Sequence, residues 1–202
     1  DEGFSIGALV TLRQLELHPG LAAYTDGAVR ESVCHIVGVQ LRNLATVGGS
    51  IYSRFGFSDV LTMFLALNAS VELYKGGVVP LTEYAQRPYD RDILVRVLVP
   101  KENARFVYQS VRNSQTDFPV LTCAAAKLAD GSIRAAIGAR PGKAVLYTAA
   151  PEAGETAEKF AARFAAEVKA DIKTESNLRG GAEYRRHLAG VLTKRAVCRL
   201  EG

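Results

Sequence analysis

Asp130-Gly131, set between two apolar runs at residues 119–128 and 133–138, most constrains the fold of this 202-residue chain. Asp-Gly between strand-like runs is a strong signal for a tight hairpin, because both residues tolerate the positive φ that such a turn needs. Residues 104–111 and 144–148 add flanking strand candidates. An alanine-rich amphipathic stretch at 156–169 and a second helical pattern at 182–198 follow, separated by Gly180-Gly181. Strands followed by helices, without βαβ alternation, indicate an α+β class with an antiparallel sheet packed on helices.

The first hundred residues have a different rhythm. Residues 4–10 read as a strand, and Thr11 is placed to cap a helix through residue 17. Pro19-Gly20 is expected to break that helix, and residues 21–37 carry one continuous helical pattern. After a polar, glycine-bearing interruption, Ser58 or Asp59 is placed to cap an apolar helix at 60–67. Short strands are expected at 70–74, 78–81 and 93–99, with a turn at Gly76-Gly77 and a helical turn at 82–84. Pro100-Lys101-Glu102-Asn103 marks the best boundary, dividing the chain into units 1–100 and 101–202.

Composition excludes several classes. Hydrophobic residues make up 48% and charged residues 23% of the chain, as in an ordinary globular protein. The net charge of +4 is spread out, apart from Arg185-Arg186 and Lys194-Arg195 at helical spacing, which reads as a solvated helix face and not a nucleic-acid patch. No apolar run reaches the ~18–20 residues needed to span a bilayer. The first residues, Asp1-Glu2-Gly3, lack the pattern of a secretory signal. Cys34, Cys123 and Cys198 lie far apart without a CxxC pair, which fits a reducing, cytoplasmic setting, small buried thiols and no metal site. None of the three histidines belongs to a nucleophile motif, so no side-chain catalysis is expected.

The interruption at residues 39–59 is the candidate site. Gly48 and Gly49 would let backbone N–H groups approach an anion such as a pyrophosphate. Thr46 and Ser50 add hydroxyls, and Asp59 adds a carboxylate. On these residues alone, an interhelix turn is the favoured explanation of the glycines.

The order of residues adds more. Arg42-Asn43-Leu44-Ala45-Thr46-Val47-Gly48-Gly49-Ser50-Ile51, then Ser58-Asp59, resembles the signature of the flavin-binding subunit of molybdenum hydroxylases, the family of xanthine dehydrogenase, aldehyde oxidase and carbon monoxide dehydrogenase. Residues 6–12, 112–126 and Arg179-Gly180-Gly181-Ala182-Glu183-Tyr184-Arg185 extend the resemblance from end to end. It implies the second lobe of a PCMH-type FAD-binding domain, followed by a small α+β domain. It implies FAD as cofactor, held by Ala45, Thr46, Gly48, Gly49, Ser50 and Ile51 at the phosphates, ribityl chain and ring edge. Asp59, with Ser58 beside it, would hydrogen-bond the flavin's sugar or ribityl hydroxyls, the Leu94 backbone would support the ring edge, and Gln109 stands where relatives often carry lysine. Ser50 replaces the commoner asparagine but remains a donor and acceptor.

Family members carry a further lobe with a Gly-Gly-Thr-Asp loop that grips the flavin diphosphate. Nothing in this chain matches that loop, so the resemblance implies that the chain supplies part of a flavin site. The implied partners are a molybdenum–pterin large subunit and a 2Fe–2S small subunit, with electrons passing through FAD to NAD or another acceptor, in a xanthine-dehydrogenase-like complex. The alternative is a flavin-free docking subunit of the same kind of complex.

Overall fold

The computed structural model describes residues 2–202. Its first half runs β1 (Gly3–Gly7), α1 (Leu12–Leu17), α2 (Pro19–Tyr24), α3 (Ala28–Cys34), α4 (Val39–Arg42), α5 (Val47–Tyr52), α6 (Asp59–Ala66), β2 (Ser70–Leu73), β3 (Gly77–Pro80), α7 (Leu81–Tyr84) and β4 (Leu94–Pro100). The second half runs β5 (Ala104–Arg112), β6 (Pro119–Leu128), β7 (Ile133–Gly138), β8 (Val145–Ala149), α8 (Ala157–Asp171) and α9 (Ala182–Glu201). The expected α+β class holds: one sheet has the order β1-β4-β2-β3 and the other is the meander β5-β6-β7-β8, both antiparallel.

The second sheet is covered on both faces. Phe106, Tyr108, Ala124, Ala126 and Ala136 join the core that includes α6 and the first sheet. Val107, Ala125, Ala135 and Ile137 alternate with them and join the core beneath α8 and α9. A strand buried on both faces reads as a continuous apolar run, which is why residues 119–126 show little alternation. The alanines of β6 give both layers close approach to the strand backbone. All eight residues of α6 are buried, and the helix packs on β6 and β7 and against α3, α5 and α7.

Local chemistry explains most boundaries. Thr11 caps α1 in a reciprocal capping box with Gln14. Ser58 caps α6 by accepting the Leu61 N–H at 3.1 Å. Three expectations change. The helix through Leu17 ends before Pro19 as expected, but the next one begins at Pro19 itself and not at Leu21, because a first-turn residue needs no N–H partner. The continuous helix expected at 21–37 is two helices, divided where Asp26 (φ 47°) and Gly27 (φ 77°) turn left-handed. The thiols differ as well: Cys123 is buried, but Cys34 is only partly covered and Cys198 is exposed.

Candidate functional site

The Gly48-Gly49 segment is the first turn of α5 and not a loop, and neither glycine has a positive φ. Thr46 is the N-cap, its Oγ1 accepting the Gly49 N–H at 3.1 Å. The Gly48 N–H donates to Ala8 O at 2.8 Å and the Val47 N–H to Val10 O at 2.9 Å. Three of the four donors at the start of α5, the Val47, Gly48 and Gly49 N–H groups, are therefore engaged within the chain and do not grip a pyrophosphate. Gly48 is needed for another reason. A Cβ there would lie 2.6 Å from the Ala8 Cβ and 2.7 Å from the Ala8 carbonyl oxygen, so α5 can pack on the end of β1 only without one.

A cavity of about 640 Å³ lies beside α5, at the junction of the two halves. Ala45, Thr46, Gly49, Ser50, Ser58 and Asp59 line it. Four expected residues lie elsewhere. Gly48 is packed against Ala8, Ile51 is fully buried in the first core, and Leu94 is a core residue of β4. Gln109 faces a separate groove on the other side of β5, where its Nε2 is buried without a hydrogen-bond partner.

The cavity has an apolar wall and a hydroxyl-rich edge. Phe55 and Phe57 stack at 5.0 Å between ring centroids, and Phe57 meets Phe118 at 4.4 Å. All three rings remain substantially exposed, although ring surface of this size usually finds cover. The 55–57 loop is held to the second half of the chain by the bond from the Ala139 N–H to Gly56 O at 2.6 Å. On the polar edge, Ser50 Oγ donates to Thr46 O at 3.0 Å, and Ser58 Oγ donates to Ser50 O at 3.0 Å. The Thr46 hydroxyl proton and the Ser50 Oγ lone pairs remain available for a ligand.

The floor is a buried ion pair. Asp59 Oδ1 accepts from both the Tyr108 hydroxyl and Arg112 Nη2, joining α6 to β5. Arg112 Nη1 also donates to Asp117 O at 2.6 Å. Burial pushes the Asp59 carboxyl above its ordinary range, while the Arg112 guanidinium and the Tyr108 hydroxyl pull against it. Burial and the adjacent Asp59 push the Tyr108 phenol well up, so Tyr108 stays a donor at neutral pH. Sequence reading found Asp59 but missed Arg112, Phe57 and Phe118, whose meeting with α5 depends on the packing of the two sheets.

The geometry suits a flat, largely apolar ring system with a hydroxylated tail: rings for stacking, hydroxyls along one edge, and a charge pair near neutrality. The Val47, Gly48 and Gly49 N–H groups do not supply a diphosphate grip.

Residues 1–102 match the family described as the FAD binding domain in molybdopterin dehydrogenase, and residues 106–200 match the CO dehydrogenase flavoprotein C-terminal domain. The chain is 27% identical over 187 residues to the uncharacterized protein YgfM of Escherichia coli K12, covering 93% of this chain and 69% of that protein. Among solved structures it is similar to quinoline 2-oxidoreductase from Pseudomonas putida 86, with a TM-score of 0.81 and 21% identity over 97% of this chain and 74% of that one. It is also similar to carbon monoxide dehydrogenase from Oligotropha carboxidovorans, with a TM-score of 0.86 and 23% identity over 100% of this chain and 76% of that one. At these identities the structural matches establish a shared fold.

Proposed function

Because the chain belongs to the family of FAD-binding domains of molybdopterin dehydrogenases, we propose that it is the electron-transfer flavin subunit of a molybdenum hydroxylase complex. In this reading a molybdenum–pterin large subunit and a 2Fe–2S small subunit are its partners, as in a xanthine-dehydrogenase-like assembly. FAD held here would supply the electron-transfer chemistry between the iron–sulfur side and NAD or another acceptor, and this chain would bind and orient it. The division into units 1–100 and 101–202 is supported by where the two family matches meet and by the 101–103 connection between β4 and β5.

The single observation that carries the flavin assignment is the cavity lined by Thr46, Gly49, Ser50, Ser58 and Asp59, with the phenylalanine wall opposite. In this chain, Phe57 and Phe118 would cover one side of the ring and exclude water from it. The Thr46 hydroxyl would donate to the ribityl chain, and the Ser50 oxygen would accept from it. Gly49 lines the cavity without a Cβ, which leaves room at the wall. The cation at the cavity is Arg112 and not the residue at position 109, and Asp59 offsets most of its charge. Local electrostatic tuning is then modest compared with an unpaired cation at the same place. With the Val47, Gly48 and Gly49 N–H groups already engaged, the diphosphate would need donors other than these three. The same engagement favours the rival reading of a flavin-free docking subunit.

Titration of the purified chain with riboflavin and with FAD, followed by flavin fluorescence, separates the two. The flavin reading expects both ligands to be quenched with similar affinity, since the cavity holds the ring and ribityl portion. Phe57→Ala and Ser50→Val should weaken both. Absence of quenching by either ligand would leave the docking reading in its place.

A further inference from the structure

A second cluster of chemically able side chains lies away from the proposed flavin cavity. Glu31, Cys34 and His35 stand at positions i, i+3 and i+4 along the end of α3, a spacing that brings all three to one helix face. One ligand atom from each lies within 4.8 Å of the others. His35 Nε2 is 3.5 Å from Glu31 Oε1, and Cys34 Sγ is 3.9 Å from Glu31 Oε2. All three residues line the groove of about 1060 Å³ formed by α3, β5 and α9, the same groove that holds Gln109.

We propose that Glu31, Cys34 and His35 form a three-ligand site for a zinc-class divalent ion, with its remaining coordination position open to this groove. The donor set suits that ion: thiolate sulfur, imidazole nitrogen and carboxylate oxygen are its usual protein ligands. Tetrahedral coordination at bond lengths of ~2.0–2.3 Å separates neighbouring ligand atoms by about 3.4–3.6 Å. The 3.5 and 3.9 Å approaches are to the two different oxygens of Glu31, and the three ligand atoms lie within 4.8 Å of one another, so coordination requires the side chains to close in by up to about 1 Å. Three protein ligands leave a fourth position for water or a small anion, the arrangement of an open site and not of a closed structural one. Burial and the Glu31 carboxylate hold the Cys34 thiol above its ordinary range, so the ion must displace a proton as it binds. The site lies immediately before Ile36 and Val37, which wall the other cavity, so a bound ion would also pin the start of that wall.

The test uses the chelator-stripped, purified chain, titrated with zinc chloride by calorimetry and with cobalt chloride by absorption. One ion per chain is expected, with a thiolate-to-cobalt charge-transfer band. Loss of even an outer-shell partner costs a metal site about 10–100-fold in affinity, so Cys34→Ser and His35→Ala should each weaken zinc binding by at least about that much. Cys34→Ser should also abolish the charge-transfer band. Cys198→Ser and His187→Ala serve as controls and should leave both readouts unaltered. These side chains lie at the surface, and circular dichroism of each variant verifies the fold. A wild-type chain without the cobalt band, or a band that survives Cys34→Ser, overturns the assignment. Because the readouts need no flavin, this outcome is independent of the fate of the flavin reading.

Discussion

Replacing Arg112 with methionine isolates the contribution of the ion pair beneath the cavity beside α5. Asp59 and Arg112 side chains are only 6% and 7% exposed, so removing the guanidinium leaves a carboxylate buried with the Tyr108 hydroxyl as its remaining side-chain donor. Breaking a buried pair in this way costs about 3–5 kcal/mol, mainly as the penalty of the uncompensated charge. For a chain of this size, about 2–4 °C of melting temperature corresponds to each kcal/mol, which gives a fall of about 6–20 °C at neutral pH. The sign of the pH dependence follows from burial. The Asp59 carboxyl is already raised in the folded state, and losing Arg112 raises it further. A carboxyl raised on folding adds stability below its unfolded value of about 3.9 and loses it as pH rises through the folded value. The deficit of Arg112→Met should therefore be largest near neutral pH and shrink as the solution is acidified. Urea denaturation across a pH series measures it directly. The double variant with Asp59→Asn should be more stable than the sum of the single effects implies, because the pair is coupled. A deficit below about 1 kcal/mol, or one that does not change with pH, would refute the claim that this pair bears an uncompensated charge when broken.

Other outcomes follow from neighbouring residues. Gly48→Ala should lower stability by about 1–3 kcal/mol in thermal unfolding, because its Cβ would fall within 2.9 Å of the Ala8 Cβ, carbonyl oxygen and Cα. Thr46→Ala removes the N-cap of α5 and should cost about 1 kcal/mol in urea denaturation. Arg185→Met should be among the most destabilising changes in the second half, measured by melting temperature. This fully buried guanidinium serves Val120 O, Glu175 O, Gly180 O and Asn177 Oδ1, and each acceptor left unsatisfied costs about 1–3 kcal/mol.

Much of the fold was legible because its determinants are local. The cap at Thr11, the Asp130-Gly131 turn and the apolar run of α6 each act within a few residues. The helix break at Asp26-Gly27 was less legible, since the apolar pattern continues across it while the backbone turns left-handed. The glycine pair misled for a physical reason: two glycines favour a loop by propensity, but Thr46 caps the turn and contact with Ala8 demands the missing Cβ. Within the candidate site, the residues adjoining α5 were found because they are contiguous in sequence. Arg112, Phe57 and Phe118 were not, because they meet only through packing of the two halves. Gln109 was assigned to the flavin by resemblance to relatives, but it lines the groove between α3, β5 and α9 and not the cavity beside α5. Glu31, Cys34 and His35 were visible at helical spacing, yet without a CxxC pattern they drew no metal assignment.

The most direct test of the account is the flavin content of this chain purified with its native partners, compared between wild type and Gly49→Val. Gly49 lines the cavity, and a Cβ there meets only Thr46 Oγ1 at 3.2 Å, so the variant should fold while its added methyls occupy the flavin's space. The account predicts stoichiometric FAD in the wild-type complex and marked loss of it in the variant, with the subunits still assembled. A wild-type complex without flavin, or a variant that keeps its full complement, would contradict it.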